Sequence, residues 1–204
     1  MELGEIGKLC LRCMKVSDDL GICPYCGKEK AGQLTWSKAL APGTVLNNKI
    51  LIGNILGKGG YGITYIGYDM LLEYRVAVKE FFPDEMVDRS DDGKTVLVLD
   101  EVNSEEYQRE TTAYLREARI LAEFSKFPGI VAIKDLFYEN NTGYLIMEFL
   151  ENTGLAELFQ SKRINDLVDY VFGIETGLDT NARKNRSGHV MENMGARIFD
   201  NNGV

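Results

Sequence analysis

The sequence predicts an α+β fold in three parts. A small ribbon held by four cysteines comes first, then an antiparallel sheet of about five strands with one long helix, then a short helical or disordered tail. Three observations predict it. All four cysteines lie in two CxxC pairs within the first 26 residues. From Lys49 onward the chain alternates apolar and polar residues and is rich in β-branched side chains, the pattern of half-buried strands. One amphipathic run between Asn103 and Phe127 has helical spacing instead.

The first part spans residues 1–31. Cys10 and Cys13 form CLRC, and Cys23 and Cys26 form CPYCG. Four thiolates at this spacing can converge tetrahedrally, and soft sulfur ligands favour Zn²⁺. Pro and Gly in CPYCG suit a tight knuckle. Disulfides are the competing reading, which the paired spacing disfavours. A site filled by four sulfurs has no open position, so its expected role is structural. About 30 residues bury too little to fold alone, so the metal is expected to supply most of the folding energy.

Residues 32–47, GQLTWSKALAPGTVLN, read as a linker because glycine, proline and asparagine interrupt any period. The central domain is expected over 48–160. KILIGNILGKGGYGITYIGYD places a glycine-rich turn, Gly57, Gly59, Gly60 and Gly62, between two strand-like runs. The form G-x-G-x-x-G is weak by itself. A strand on both sides fits a flap laid over phosphates better than the strand-to-helix turn of a dinucleotide fold. In the next strand, VAVK, alternation puts Ala77 and Lys79 on one face and Val76 and Val78 on the other. The helix is expected to start at Asn103 or Ser104 with acidic residues in its first turn. Leu115, Ala118, Leu121 and Phe124 would share its apolar face, with Glu117 beside them. GIVAIKDLFYE and TGYLIMEFLE read as two further strands.

GKGGYG, VAVK, LREARILAEF with FPGIV, and YLIMEFLENTGLAELF occur in an order that resembles the N-terminal lobe of a bacterial, eukaryotic-like serine/threonine protein kinase carrying an N-terminal zinc ribbon. The likeness covers about residues 48–159. It implies that Lys79 binds the α- and β-phosphates of ATP and pairs with Glu117. It also implies that Met147 is the gatekeeper, that the backbone at Glu148 and Leu150 meets the adenine edge, and that Leu56 and Ala77 stack on the base. Thr64 stands where such kinases usually carry valine. Phosphoryl transfer in the family also needs H-R-D-x-x-x-x-N and D-F-G, which supply the catalytic carboxylate and the Mg²⁺ ligands. Neither motif occurs in these 204 residues. The expectation is a kinase-type chain truncated before its catalytic loop, binding ATP weakly if at all, without activity of its own.

Residues 161–204 form the fourth segment. LVDYVFGIETGLDTNARKNRSGHVMEN, over about 165–193, is similar to the middle of type II restriction endonucleases that cut at GATC. Arg183, Lys184 and Arg186 make a small basic cluster that could touch phosphate, with a solvated loop as the alternative; the likeness implies that Glu192 sits at the entrance of a nuclease core as an outer metal-site carboxylate. The two likenesses meet within LAELFQSKRINDLVDY, which suggests a chimeric chain.

Composition sets outer bounds. The formal net charge is −8, which disfavours a general nucleic-acid binder. Nine acidic residues against Arg89 and Lys94 between Asp84 and Glu106 contribute −7 of it. That stretch reads as a solvated loop leading into the helix, with a docking surface for a basic partner as the alternative. The N-terminus has no apolar leader and no run is long enough to span a membrane, so a cytoplasmic location is expected. The alternatives to a kinase-type ATP site are a non-catalytic binding or regulatory module built on the ribbon and lobe surface, and a DNA-directed role for the tail.

Overall fold

The computed structural model describes residues 7–18, 21–100, 104–125 and 131–150. The elements run in the order β1 (Val45–Leu46), β2 (Ile50–Gly59), β3 (Gly62–Asp69), β4 (Tyr74–Phe81), β5 (Val87–Arg89), β6 (Val96–Val98), α1 (Ser104–Glu123), β7 (Ile133–Glu139) and β8 (Thr142–Glu148). Six strands form one antiparallel sheet in the order β1-β2-β3-β4-β8-β7, and β5-β6 is a separate hairpin. The sheet has one strand beyond the expected five or so because the two residues of β1 pair with Leu51 and Ile50. The hairpin arises inside the acidic stretch read as a loop: Val87 and Val96 there are fully buried and pull it onto the sheet.

Residues 36–46, read as a linker, belong to the lobe. Ala39, Leu40 and Leu46 are buried in the main core with Tyr65, Val76, Val78, Phe82, Tyr144 and Ile146. Trp36 meets Phe82 edge to face, with ring centroids 5.7 Å apart. The segment therefore covers one face of the sheet. Helix α1 packs on the other face, against β7 and β8. The ring of Phe81 lies 5.8 Å from that of Tyr107 and 5.2 Å from that of Tyr114. A Cβ at Gly143 would lie 3.1–3.2 Å from Leu115 and Tyr114, so this glycine lets the helix come close to β8.

Helix α1 begins at Ser104, with Glu105 and Glu106 in its first turn, where negative charge suits the amide ends. Its buried residues are Tyr107, Thr111 and Ala118. The apolar face thus starts two turns earlier than the stripe Leu115, Ala118, Leu121 suggested. Thr111 is accommodated because its hydroxyl donates to the Tyr107 carbonyl at 2.8 Å.

The ribbon is two knuckles. The antiparallel bridges Leu9↔Val16 and Ile22↔Glu29 flank the first and second cysteine pair. Its first knuckle rests on the sheet: Leu9 and Met14 are buried with Leu51, Ile66 and Tyr68, and Phe149 packs against that cluster. The backbone fixes the contact, since the Asn54 amide donates to the Leu11 carbonyl at 2.9 Å.

Candidate functional site

Two sites follow from these elements. In the ribbon, the ligand atoms of Cys10, Cys13, Cys23 and Cys26 all lie within 4.8 Å of one another. The Sγ atoms of Cys10 and Cys26 are 3.8 Å apart, and those of Cys13 and Cys23 are 3.7 Å apart. Four sulfurs each about 2.3 Å from one ion are separated by about 3.8 Å along the edges of a tetrahedron. A disulfide needs about 2.05 Å, and all four cysteines are free. The donor set therefore fits a tetrahedrally held metal ion. Burial pushes the Cys13 thiol up to about 12. Burial also raises Cys23, but amide hydrogen bonds at Cys26 and Tyr25 and the neighbouring thiols outweigh it and bring that thiol down to about 7.

The second site is a face of the sheet. Thr64 is paired with Lys79, Ile66 with Ala77, and Tyr68 with Arg75. Ala77 is paired with Met147, and Lys79 with Leu145. Paired residues point to the same side, so Thr64, Ala77, Lys79 and Met147 share one face across three adjacent strands. All four are half-buried, whereas Tyr65, Val76, Val78 and Ile146 on the opposite face are fully buried. Above this face, Gly59 pairs with Gly62 across the two-residue turn Gly60–Tyr61. A Cβ at Gly62 would lie 2.5 Å from the Glu80 carbonyl and 3.8 Å from Cε of Lys79. The last flap glycine is thus in contact distance of the lysine stem, and its approach to the Glu80 carbonyl leaves no room for a Cβ. Gly57 pairs with Thr64 beyond a register shift in β2, and Leu56 before it is half-exposed. Tyr114 of α1 donates to the Lys79 carbonyl at 3.1 Å, which ties the helix to the strand.

Glu117 is exposed on α1. Glu148 ends β8 by clasping residue 132: its carboxylate and its amide meet the Ala132 amide and carbonyl, both at 2.9 Å. Leu150 follows and is exposed. Arg183, Lys184, Arg186 and Glu192 lie outside the described residues, as do residues 151–204 as a whole.

Two groups had no signal in the local pattern. One is the ribbon contact with Phe149. Beside it a cleft of about 570 Å³ opens between the ribbon and the lobe, lined by Met14, Tyr25, Tyr68, Arg75 and Phe149 among others. The other is a buried ion pair on the covered face. The guanidinium of Arg89 grips the carboxylate of Glu80 with two bonds of 2.8 Å, and the two side chains are 3% and 0% exposed. Tyr65 and Tyr144 donate to the same carboxylate at 2.7 and 3.1 Å.

The family model for the DpnII restriction endonuclease matches residues 91–204, more than half of the chain. The chain belongs to that family. The type II restriction enzyme MboI of Moraxella bovis is 62% identical over 56 residues, 28% of this chain and 20% of that enzyme. The lobe has a second kinship. The probable serine/threonine-protein kinase CA_C1728 of Clostridium acetobutylicum is 29% identical over 140 residues, 67% of this chain and 18% of that protein. The solved structure of PpkA-294 in its apo form aligns at a TM-score of 0.54 and 32% identity, covering 62% of this chain and 44% of that one. The chain thus spans about a fifth of the length of both curated relatives. The curled antiparallel sheet with its single helix is the N-lobe fold of a protein kinase. Residue 91 lies in the turn between β5 and β6, so the stretch matched to the restriction family runs on through α1, β7 and β8. No helix among the described residues is long and apolar enough to cross a membrane.

Proposed function

We propose that the lobe is a kinase-type nucleotide half-cleft that takes ATP between the flap and the face carrying Thr64, Ala77, Lys79 and Met147. The strand register carries this reading: it gathers a small residue, a cation and the start of the hinge beneath a glycine turn. Kinship with serine/threonine kinases supports it. Lys79 would meet the α- and β-phosphates, and pairing with Glu117 would require the exposed glutamate to turn inward with α1. The backbone at Glu148 and Leu150 would hold the adenine edge, with Leu56 and Ala77 against the base. Zn²⁺ is the ion we assign to the four cysteines, because an all-sulfur tetrahedron suits it.

The chain contains neither H-R-D nor D-F-G, so the test reads binding rather than transfer. The expected dissociation constant for Mg·ATP is weaker than about 10 μM, or about 7 kcal/mol of binding free energy. Titration calorimetry should show at least a tenfold loss in Lys79→Ala. No saturable binding at several millimolar ATP, or binding indifferent to Lys79→Ala, would overturn the reading.

A second reading rests on the 62% identity to MboI: a DNA-directed role for residues 165–193, through Arg183, Lys184, Arg186 and Glu192. Sequence-dependent retardation of a GATC duplex at physiological salt, weakened by Arg183→Ala, supports it; equal behaviour on a scrambled duplex removes it.

A further inference from the structure

We propose that the ribbon is a wall of the nucleotide cleft, and that its first knuckle positions the hinge, so that metal binding and nucleotide binding are coupled. The inference rests on the ATP reading above for its nucleotide half. Its structural half stands on the contact between ribbon and sheet.

Three residues of the first knuckle, Leu9, Leu11 and Met14, flank or lie between Cys10 and Cys13. Each one touches the lobe. Leu9 and Met14 are buried on Leu51, Ile66 and Tyr68, and Leu11 packs against the same cluster. The Leu11 carbonyl accepts the Asn54 amide, while the Leu11 amide donates to the Lys30 carbonyl behind the second knuckle. A Cβ at Gly53 would come within 2.3 Å of the Leu11 carbonyl and 2.4 Å of the Met14 methyl. Gly53 is therefore the point at which ribbon and sheet are in closest approach.

The face under the ribbon is the cleft face. Ile66 and Tyr68 alternate with the buried-face residues of β3 in the same sense as Thr64, and Ile66 is paired with Ala77. Ala77 is in turn paired with Met147. Phe149 joins the ribbon cluster, and it lies between Glu148 and Leu150, the two residues whose backbone faces the adenine edge in the proposed site. The ribbon thus contacts the hinge directly, and it reaches the base-stacking residue through one registered pair.

The knuckle owes its shape to the sulfur site. Met14 sits at φ 51°, in the left-handed region, held by the hydrogen bond that its amide donates to the Cys10 carbonyl at 2.7 Å. A ribbon this small has no core of its own to keep that turn when the ion leaves. Metal loss therefore uncovers Leu51, Ile66 and Tyr68 and releases Phe149. By linkage, a nucleotide that favours the docked hinge must tighten metal binding by the same factor that metal tightens nucleotide binding.

The test uses the full 204-residue chain and a zinc-selective chelator that leaves Mg·ATP intact. Without nucleotide, chelation should raise amide hydrogen exchange in peptides covering 66–68 and 149–150. Unchanged exchange at 149–150 overturns the proposal. Gly53→Ala and Met14→Ala keep all four cysteines, and they should raise hinge exchange while retaining about one metal ion per chain. Normal hinge exchange in both variants also overturns it. With nucleotide, chelation should weaken Mg·ATP binding about tenfold, within the usual range of coupling between sites, and saturating ATP should slow metal release in the wild-type chain but not in Gly53→Ala. Equal Mg·ATP affinity with and without metal refutes the coupling. No ATP binding by the metal-loaded chain instead refutes the nucleotide reading, and the exchange measurement then still decides whether the ribbon positions the hinge.

Discussion

Glu80 is the residue on which the covered face of the lobe depends. Its carboxylate is fully buried and meets two guanidinium nitrogens and two tyrosine hydroxyls. Arg89 also donates to the Lys38 and Lys94 carbonyls at 2.8 and 2.7 Å, and its guanidinium lies 4.7 Å from the Phe82 ring centre. One ion pair thereby joins the segment before β1 to β3, β4, β5 and β8. Burial opposes charge on Arg89, but the hydrogen-bonded Glu80 outweighs it and raises its proton affinity. Removing one partner strands the other charge in the interior, which costs about 3–5 kcal/mol. Glu80→Ala and Arg89→Ala should each lower stability by that amount in urea titrations, and the double variant by clearly less than their sum. Nothing local announces this pair. Glu80 follows Lys79 and reads as another polar position on a strand, and its partner lies nine residues away in a hairpin hidden by acidic composition. Ala77, Lys79 and the flap glycines, by contrast, were legible because strand alternation and a glycine turn are local patterns.

The elements show the same division between local and tertiary causes. Strands β2, β3, β4, β7 and β8 follow from apolar alternation, and α1 follows from its cap and its period. The buried turn at Tyr107 and Thr111 was not legible, because it faces Phe81 of β4 and the Asn141 carbonyl in the β7–β8 turn, partners supplied by distant parts of the chain. The same holds for residues 36–46, whose apolar side chains have no period but a ready surface in the face of the sheet that the β5-β6 hairpin also covers. Gly143→Val should push α1 off β8, since even a Cβ is tight against Leu115 and Tyr114; overpacking of this kind costs about 1–3 kcal/mol, readable as a lowered Tm. The β5-β6 hairpin has its own pH dependence. Asp92 accepts hydrogen bonds from the Ser90 and Thr95 hydroxyls and from the amides of Thr95 and Lys94, which hold its carboxyl well below the usual carboxylate range. A depressed carboxyl stabilises the fold above its ordinary value of about 4 and loses that contribution as the pH falls below it. Protection of the amides across 90–96, taken against the unprotected exchange rate at each pH, should therefore fall on acidification from about pH 5 to pH 2, and Asp92→Asn should flatten the response.

At the scale of the molecule, the ribbon and the lobe differ in what holds them together. The lobe has a continuous core running from Ala39 through the sheet to Tyr107, whereas the ribbon contributes Leu9 and Met14 to a small second cluster whose other members belong to the sheet. The lobe should therefore outlast the ribbon. The metal-loaded chain is expected to melt in two transitions, a metal-dependent one before a metal-independent one, and metal removal should abolish the first. The helical circular dichroism signal of α1 belongs to the second transition, because α1 packs on β7 and β8 at the far side of the sheet from β1 and β2. Chelation at 25 °C should leave that signal unchanged while newly exposed Leu51, Ile66 and Tyr68 increase binding of an apolar dye. Ligand deprotonation sets the pH at which this happens: thiolates bind the ion and protons compete for them. Metal affinity should fall as pH falls, and acid should reproduce the chelator's effect without it. A single melt, with helix and ribbon lost together on chelation, would mean that the four-cysteine site stabilises the whole lobe and not the ribbon alone.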